Sequence, residues 1–157
     1  MLKKIITIVM YALVAIMLLQ ASYAVGQGIE LYDGIKSGDS KINKKLYYFG
    51  EHEFIIGTYD RDKGIIYAVY FTSIKHYPPD SMSVRDSNMR EVKNALIKDF
   101  GEPGLSRDGP YLPFLGYNQT FTLYAWYNKG RIIMLNLFGR KDNNNIIKIE
   151  IYDSNML

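Results

Sequence analysis

Residues 121–152 read FTLYAWY, NKG, RIIMLNLF, GRKDNNN and IIKIEIY in succession, and this stretch decides the fold. Aromatic and β-branched residues dominate Phe121–Tyr127, Arg131–Phe138 and Ile146–Tyr152, as strands prefer. The breaks between them are polar. Asn128-Lys129-Gly130 supplies a Gly for positive φ, and Gly139 to Asn145 is a run of turn formers. In the last run Ile147, Ile149 and Ile151 alternate with Lys148, Glu150 and Tyr152, so one face is dry and the other wet. Together these runs predict a three-stranded antiparallel meander. On its first strand, period 2 puts Phe121, Leu123, Ala125 and Tyr127 on one side and Tyr124 and Trp126 on the other.

Upstream lies one clear helix, Asn88 to Phe100. Met89, Val92, Leu96 and Phe100 recur at three- and four-residue spacing, with Ala95 beside them. Asn88 and Glu91 have the spacing of a capping box, and Gly101 followed by Pro103 stops the helix. Glu102 to Thr120, rich in Gly and Pro but carrying Tyr111, Leu112, Phe114, Leu115 and Tyr117, is a long connection that packs down or lines a site. Ser73 to Asp86, with Pro78-Pro79, reads as a loop. Before it, Leu46–Phe49, Glu53–Tyr59 and Gly64–Thr72 are β-prone, and the last two are joined by a polar turn ending in Gly64. Gly57, inside its strand, marks a bulge or a close approach. Residues 25–45 form an irregular lead-in with at most one short element. The predicted fold is a two-layer α+β domain, an antiparallel sheet of five or six strands with one main helix, residues 88–100, on one face.

The helix end Leu96-Ile97-Lys98-Asp99-Phe100-Gly101-Glu102-Pro103 has the form L-x-x-x-aromatic-G-x-P. A Trp-bearing strand, an apolar strand and an alternating strand follow it. From Asn88 to Tyr152 this layout resembles that of small exported bacterial α+β proteins of unassigned function. The resemblance implies the fold and export, and carries no catalytic residue with it.

The N-terminus reads as an address. Lys3-Lys4 precedes the uncharged, apolar run Ile5 to Leu19, and Ser22 and Ala24 are the small residues of a cut after Ala24. A secretory signal peptide over residues 1–24 and a single domain over 25–157 are therefore expected, with a periplasmic or extracellular destination. Retained as an anchor, Ile5 to Ala24 would span roughly 30 Å as a helix; with the signal cleaved, no stable membrane insertion remains. The whole chain has 157 residues and a formal charge of +3. Without Lys3 and Lys4 it keeps 17 basic and 16 acidic residues, a charge of +1, too little to draw in a phosphate backbone. No nucleic-acid partner is expected. The absence of cysteine excludes disulfides, thiolate metal sites, cysteine nucleophiles and lipoprotein anchoring.

Catalytic patterns are thin. Glu51-His52-Glu53 offers metal-ligand types, but adjacent strand residues point to opposite faces, and an exposed hairpin turn explains them. Asp60-x-Asp62-x-Gly64 starts like a calcium loop but lacks its later ligands, and Asp142 to Asn145 reads as a polar hairpin tip. Ser73, His76, Asp80 and Asp86 lie close in sequence without a nucleophile motif, and no phosphate-binding glycine loop is present. No cofactor, metal or catalytic residue is assigned. The positive signal is aromatic: 14 Tyr, 7 Phe and one Trp. Tyr and Trp give rigid contact area with a polar tip, although the same rings also stabilise sheets by cross-strand packing. The candidate binding residues are Tyr111, Phe114, Tyr117, Tyr124 and Trp126. The expected role is an exported, non-enzymatic binding or accessory protein that recognises a protein or envelope component. A small secreted hydrolase without a recognisable motif and a membrane-tethered envelope subunit are the rivals.

Overall fold

The computed structural model describes residues 28–42, 45–61, 64–109 and 112–157. The expected signal segment and Tyr111 lie outside them. The meander appears as β7 (Thr120–Asn128), β8 (Arg131–Gly139) and β9 (Asn145–Asp153). The N-terminal runs give β3 (Leu46–Phe49), β4 (His52–Arg61) and β5 (Ile65–Ser73). The two groups join through β5 and β9, which pair antiparallel with Val69 opposite Ile151 and Phe71 opposite Ile149. With β6 (Leu105–Ser106) added on β7, a seven-stranded antiparallel sheet runs in the order β3-β4-β5-β9-β8-β7-β6. The expectation of five or six strands missed β6, a two-residue strand inside the Gly/Pro-rich connection with no periodicity to reveal it. The lead-in is less irregular than its composition suggests. It forms a small hairpin, β1 (Glu30–Tyr32) and β2 (Ile35–Lys36), which turns through Asp33 and Gly34 at positive φ.

One helix, α1 (Met82–Phe100), covers one sheet face. It buries Arg85, Asn88, Met89, Val92, Leu96 and Phe100. The apolar members share a core with Phe54 and Ile56 of β4, Val69 and Phe71 of β5, Ile133, Leu135 and Leu137 of β8, and Ile147, Ile149 and Ile151 of β9. Each such side chain contributes about 1.5–3 kcal/mol of burial free energy. The dry set read from the final run thus lies against the helix. Tyr32 of the hairpin joins this layer among the rings of Tyr47, Phe49, Phe71 and Phe100, at centroid distances of 5.9, 5.6, 5.2 and 6.4 Å.

α1 starts six residues earlier than its apolar stripe indicates. Asn88 is not the cap: it is buried, and its amide donates to the Tyr77 hydroxyl at 2.9 Å. Glu91, the other half of the expected capping box, pairs instead with His52 at 2.9 Å. The extra turn is held by a polar residue. Arg85, fully buried, donates to Asp86 Oδ1, to the carbonyls of Leu112 and Pro113, and to Asn145 Oδ1. Asn145 is in turn bonded through its side chain to both the N–H and the carbonyl of Leu115. The expected hairpin tip therefore ends in a buried residue that pins the 112–115 segment to the helix. At the other end Gly101 adopts φ 81°, and its N–H donates to Ile97 O at 2.8 Å. The Gly101 carbonyl accepts the Trp126 indole N–H at 2.7 Å, tying the helix stop to β7.

Two bulges decide which side chains face where. In β7 the register slips between Thr122 and Tyr124, so Leu123 is an extra residue. Leu123 and Tyr124 then both turn to the helix side and are buried, Trp126 follows them, and Ala125 and Tyr127 fall on the other face. Strict alternation, which separated Leu123 from Tyr124, fails here for that reason. In β5, Tyr67 is the extra residue opposite the Tyr59/Asp60 step. Ile66 enters the core while Tyr67 joins Tyr59 and Tyr152 on the far face.

Candidate functional site

Among the described residues no helix covers the second face of the sheet. It is built from the residues that alternate with the core set, namely Tyr59 on β4, Tyr70 and Thr72 on β5, Lys148, Glu150 and Tyr152 on β9, and Met134, Asn136 and Phe138 on β8. Tyr59 stacks on Tyr152 at 5.9 Å with an interplanar angle of 12°, and contacts Tyr70 at 4.9 Å. Gly57 makes room for this. It pairs with Tyr70, and a Cβ at Gly57 would stand 2.2 Å from the Tyr70 ring. The close approach expected of this glycine is a ring lying over its backbone.

Under the rings sits one carboxylate. Glu150 is 7% exposed, although it belongs to the uncovered face. Its Oε1 accepts from the hydroxyls of Tyr59 at 2.5 Å and Tyr152 at 3.2 Å and from Lys148 Nζ at 2.9 Å, and its Oε2 accepts from the Asn136 amide at 2.6 Å. Lys148 also donates to the Tyr59 hydroxyl, and its ammonium lies over the rings of Tyr70, Tyr59 and Phe138 at 4.9, 5.1 and 5.7 Å. Burial, followed by the hydrogen bond to Glu150, pushes the Tyr59 hydroxyl up. Burial and the Glu150 charge push Tyr152 up in the same way. The tyrosines therefore stay neutral donors and hold the Glu150 side chain in place. This arrangement orders a floor of rings; every oxygen of the carboxylate is already engaged.

Above that floor lies a shallow concavity of about 430 Å³ lined by Tyr59, Tyr70, Thr72, Tyr117, Phe138, Arg140, Lys141, Ile146 and Lys148. The 115–119 segment forms one wall. The Asn118 N–H donates to Gly139 O at 2.8 Å, and the Gly139 N–H donates to Gln119 O at 2.9 Å. A Cβ at Gly139 would stand 1.9 Å from Gly116 O, so only glycine lets the segment cross the end of β8 there. This places Tyr117, 68% exposed, at the rim. A second concavity, of about 450 Å³, lies between Tyr32, Asp33, Lys45, Tyr47, Tyr48 and Asp99, where Lys45 and Asp33 already pair with each other.

The sequence-selected aromatics separate. Tyr117 lines the concavity. Phe114 is half-buried in the segment that Asn145 pins. Tyr124 and Trp126 are 2% and 3% exposed on the helix side. The Tyr124 hydroxyl donates to Asp108, a carboxyl held down to about 2 by its bonds from Ser106 and Tyr124. Removing Tyr124 or Trp126 therefore acts first on the fold. The rings that do line the uncovered face, Tyr59, Tyr70 and Phe138, were not selected, although the wet half of the final run, Lys148-x-Glu150-x-Tyr152, points to them. Elsewhere, Ser73 Oγ is buried and bonded to Lys75 O and the Ile147 N–H, and no hydrogen bond joins it to His76, which faces Asp142 at 3.8 Å. Among the described residues no group of three acidic or histidine side chains could hold a metal, and no helix is long and apolar enough to cross a membrane. Comparison with protein-family models, curated proteins and solved structures gives no match to this chain.

Proposed function

We propose that this chain is an exported binding protein that engages a protein or envelope component through the helix-free face of its sheet. The observation that carries this reading is the composition of that face. A half-exposed antiparallel sheet ordinarily shows polar residues to water. Here the uncovered side presents Tyr59, Tyr67, Tyr70 and Tyr152 at its centre, with Tyr127 74%, Tyr48 59% and Ile55 52% exposed towards its flanks. Rigid rings with polar tips are suited to contact at low entropic cost. Export rests on the charged, apolar and small-residue order of Met1 to Ala24.

The test is retention. Native envelope fractions are passed over immobilised chain 25–157, either unaltered or carrying Tyr127→Ala or Tyr70→Ala. Envelope material held by the unaltered chain and lost from both variants supports the reading; equal recovery from all three sinks it. N-terminal sequencing of the exported chain should begin at Val25, and a start at Met1 would replace secretion by tethering.

A further inference from the structure

We infer that the concavity on the uncovered face is a saccharide subsite for a sugar ring bearing an anionic group, a uronate carboxylate or a phosphate. This rests on the reading of that face as a binding surface and names the ligand chemistry. Tyr59 and Tyr70, on the adjacent strands β4 and β5 with ring centroids 4.9 Å apart, and Phe138 on β8, beyond β9, provide a floor of ring faces. A pyranose is about as wide, and its flat C–H faces match such rings. Among the described residues the Tyr70 hydroxyl and the Thr72 hydroxyl have no hydrogen-bond partner, which leaves donors and acceptors for ring hydroxyls.

Charge selects the anion. Arg140, Lys141 and Lys148 line the concavity and none of its described lining residues is acidic. Lys148 is neutralised by Glu150 beneath it. Arg140 gives its Nε to Asp142 at 3.3 Å, while its terminal amino groups and the Lys141 ammonium have no partner among the described residues. These two rim cations are placed for one carboxylate or phosphate, with the guanidinium supplying a planar fork. An acidic peptide is the poorer fit. Extended peptides dock by adding to a sheet edge, whereas β5, β9 and β8, which carry Tyr70, Lys148 and Phe138, lie inside the sheet with a strand on each side; only β4 beyond Ile55, beside Tyr59, has a side without a partner strand.

The experiment is calorimetric titration at low salt with three probes, trigalacturonic acid, maltotriose and hexaglutamate, and a sugar phosphate as a fourth arm to separate the two anion sources. The expected result is that trigalacturonic acid or the sugar phosphate binds at least about tenfold more tightly than maltotriose. Arg140→Gln combined with Lys141→Gln should reduce that preference to none, while Tyr70→Ala should weaken all saccharides alike. Gly57→Ala, which displaces the Tyr70 ring without removing it, should weaken them too. No saccharide binding, equal binding of neutral and acidic trimers, or a tighter hexaglutamate complex overturns the inference. If saccharides fail while Tyr70→Ala still abolishes envelope retention, the binding face stands and only its ligand class falls. If retention is also unchanged, both fall.

Discussion

Phe71 and Tyr70 are neighbours on one strand and face different surroundings. Phe71 lies under the helix against Tyr32, Tyr47 and Phe49 and is fully buried. Tyr70 lies over Gly57 beside Tyr59 and the Lys148 ammonium, with no helix above it. The helix side is held by close packing of apolar groups. The other side is held by hydrogen bonds and cation–ring contacts converging on Glu150. A packed face loses stability steeply when trimmed, because cavities form; a ring face in contact with water loses little and remains available for contact.

The comparison breaks first at Phe71. Phe71→Ala should lower the unfolding free energy by about 4 kcal/mol in urea titrations. A cost near that of Tyr70→Ala would show that the two faces do not differ as described. Arg85→Ala comes next, at about 3 kcal/mol, because it strips partners from the Leu112 and Pro113 carbonyls and Asn145 Oδ1. It should also release the 112–115 segment, seen as faster amide exchange at Leu115.

Alkali sharpens the same contrast. Burial, then the Asp99 and Asp33 charges, push the Tyr32 hydroxyl up to about 12. Its stabilising contribution is therefore complete below pH 10 and disappears as pH rises from 10 to 12, at most about 3 kcal/mol for this one group. Urea midpoints measured across that window should fall, and Tyr32→Phe should flatten the decline; an unchanged slope would reject the assignment. The smallest effect is at Tyr70. Tyr70→Ala should cost about 1 kcal/mol, the value of a ring pair, and yet reduce binding on the uncovered face.

Much of the architecture was legible. Strands from 46 to 73 and from 120 to 153, the stripe Met89, Val92, Leu96 and Phe100, and the Gly101 stop all follow from local periodicity and turn chemistry. The helix start at Met82 was not, since Ser83, Arg85, Asp86 and Ser87 break the apolar pattern. Arg85 belongs in the helix only because three distant carbonyl-type oxygens meet it there. The candidate site was half legible. Gly57 and the wet residues Lys148, Glu150 and Tyr152 signalled a second face, whereas Tyr124 and Trp126 lie buried on the helix side. The single extra residue at Leu123 turned them inward.

The sequence by itself determined the α+β class, the antiparallel meander and the alternation that separates a dry from a wet face, because these depend on side-chain period and on turn residues a few positions apart. Only the tertiary structure decided that β5 and β9 join the two hairpins into one sheet, that bulges at Tyr67 and Leu123 reassign rings between its faces, and that Glu150 gathers two tyrosines, a lysine and an amide beneath the concavity. The joining of the hairpins and the Tyr59–Glu150 bond depend on pairings between residues about 80 or more positions apart, and the bulges depend on where the register slips across whole hairpins. Loop closure and packing set such pairings, and no local pattern records them.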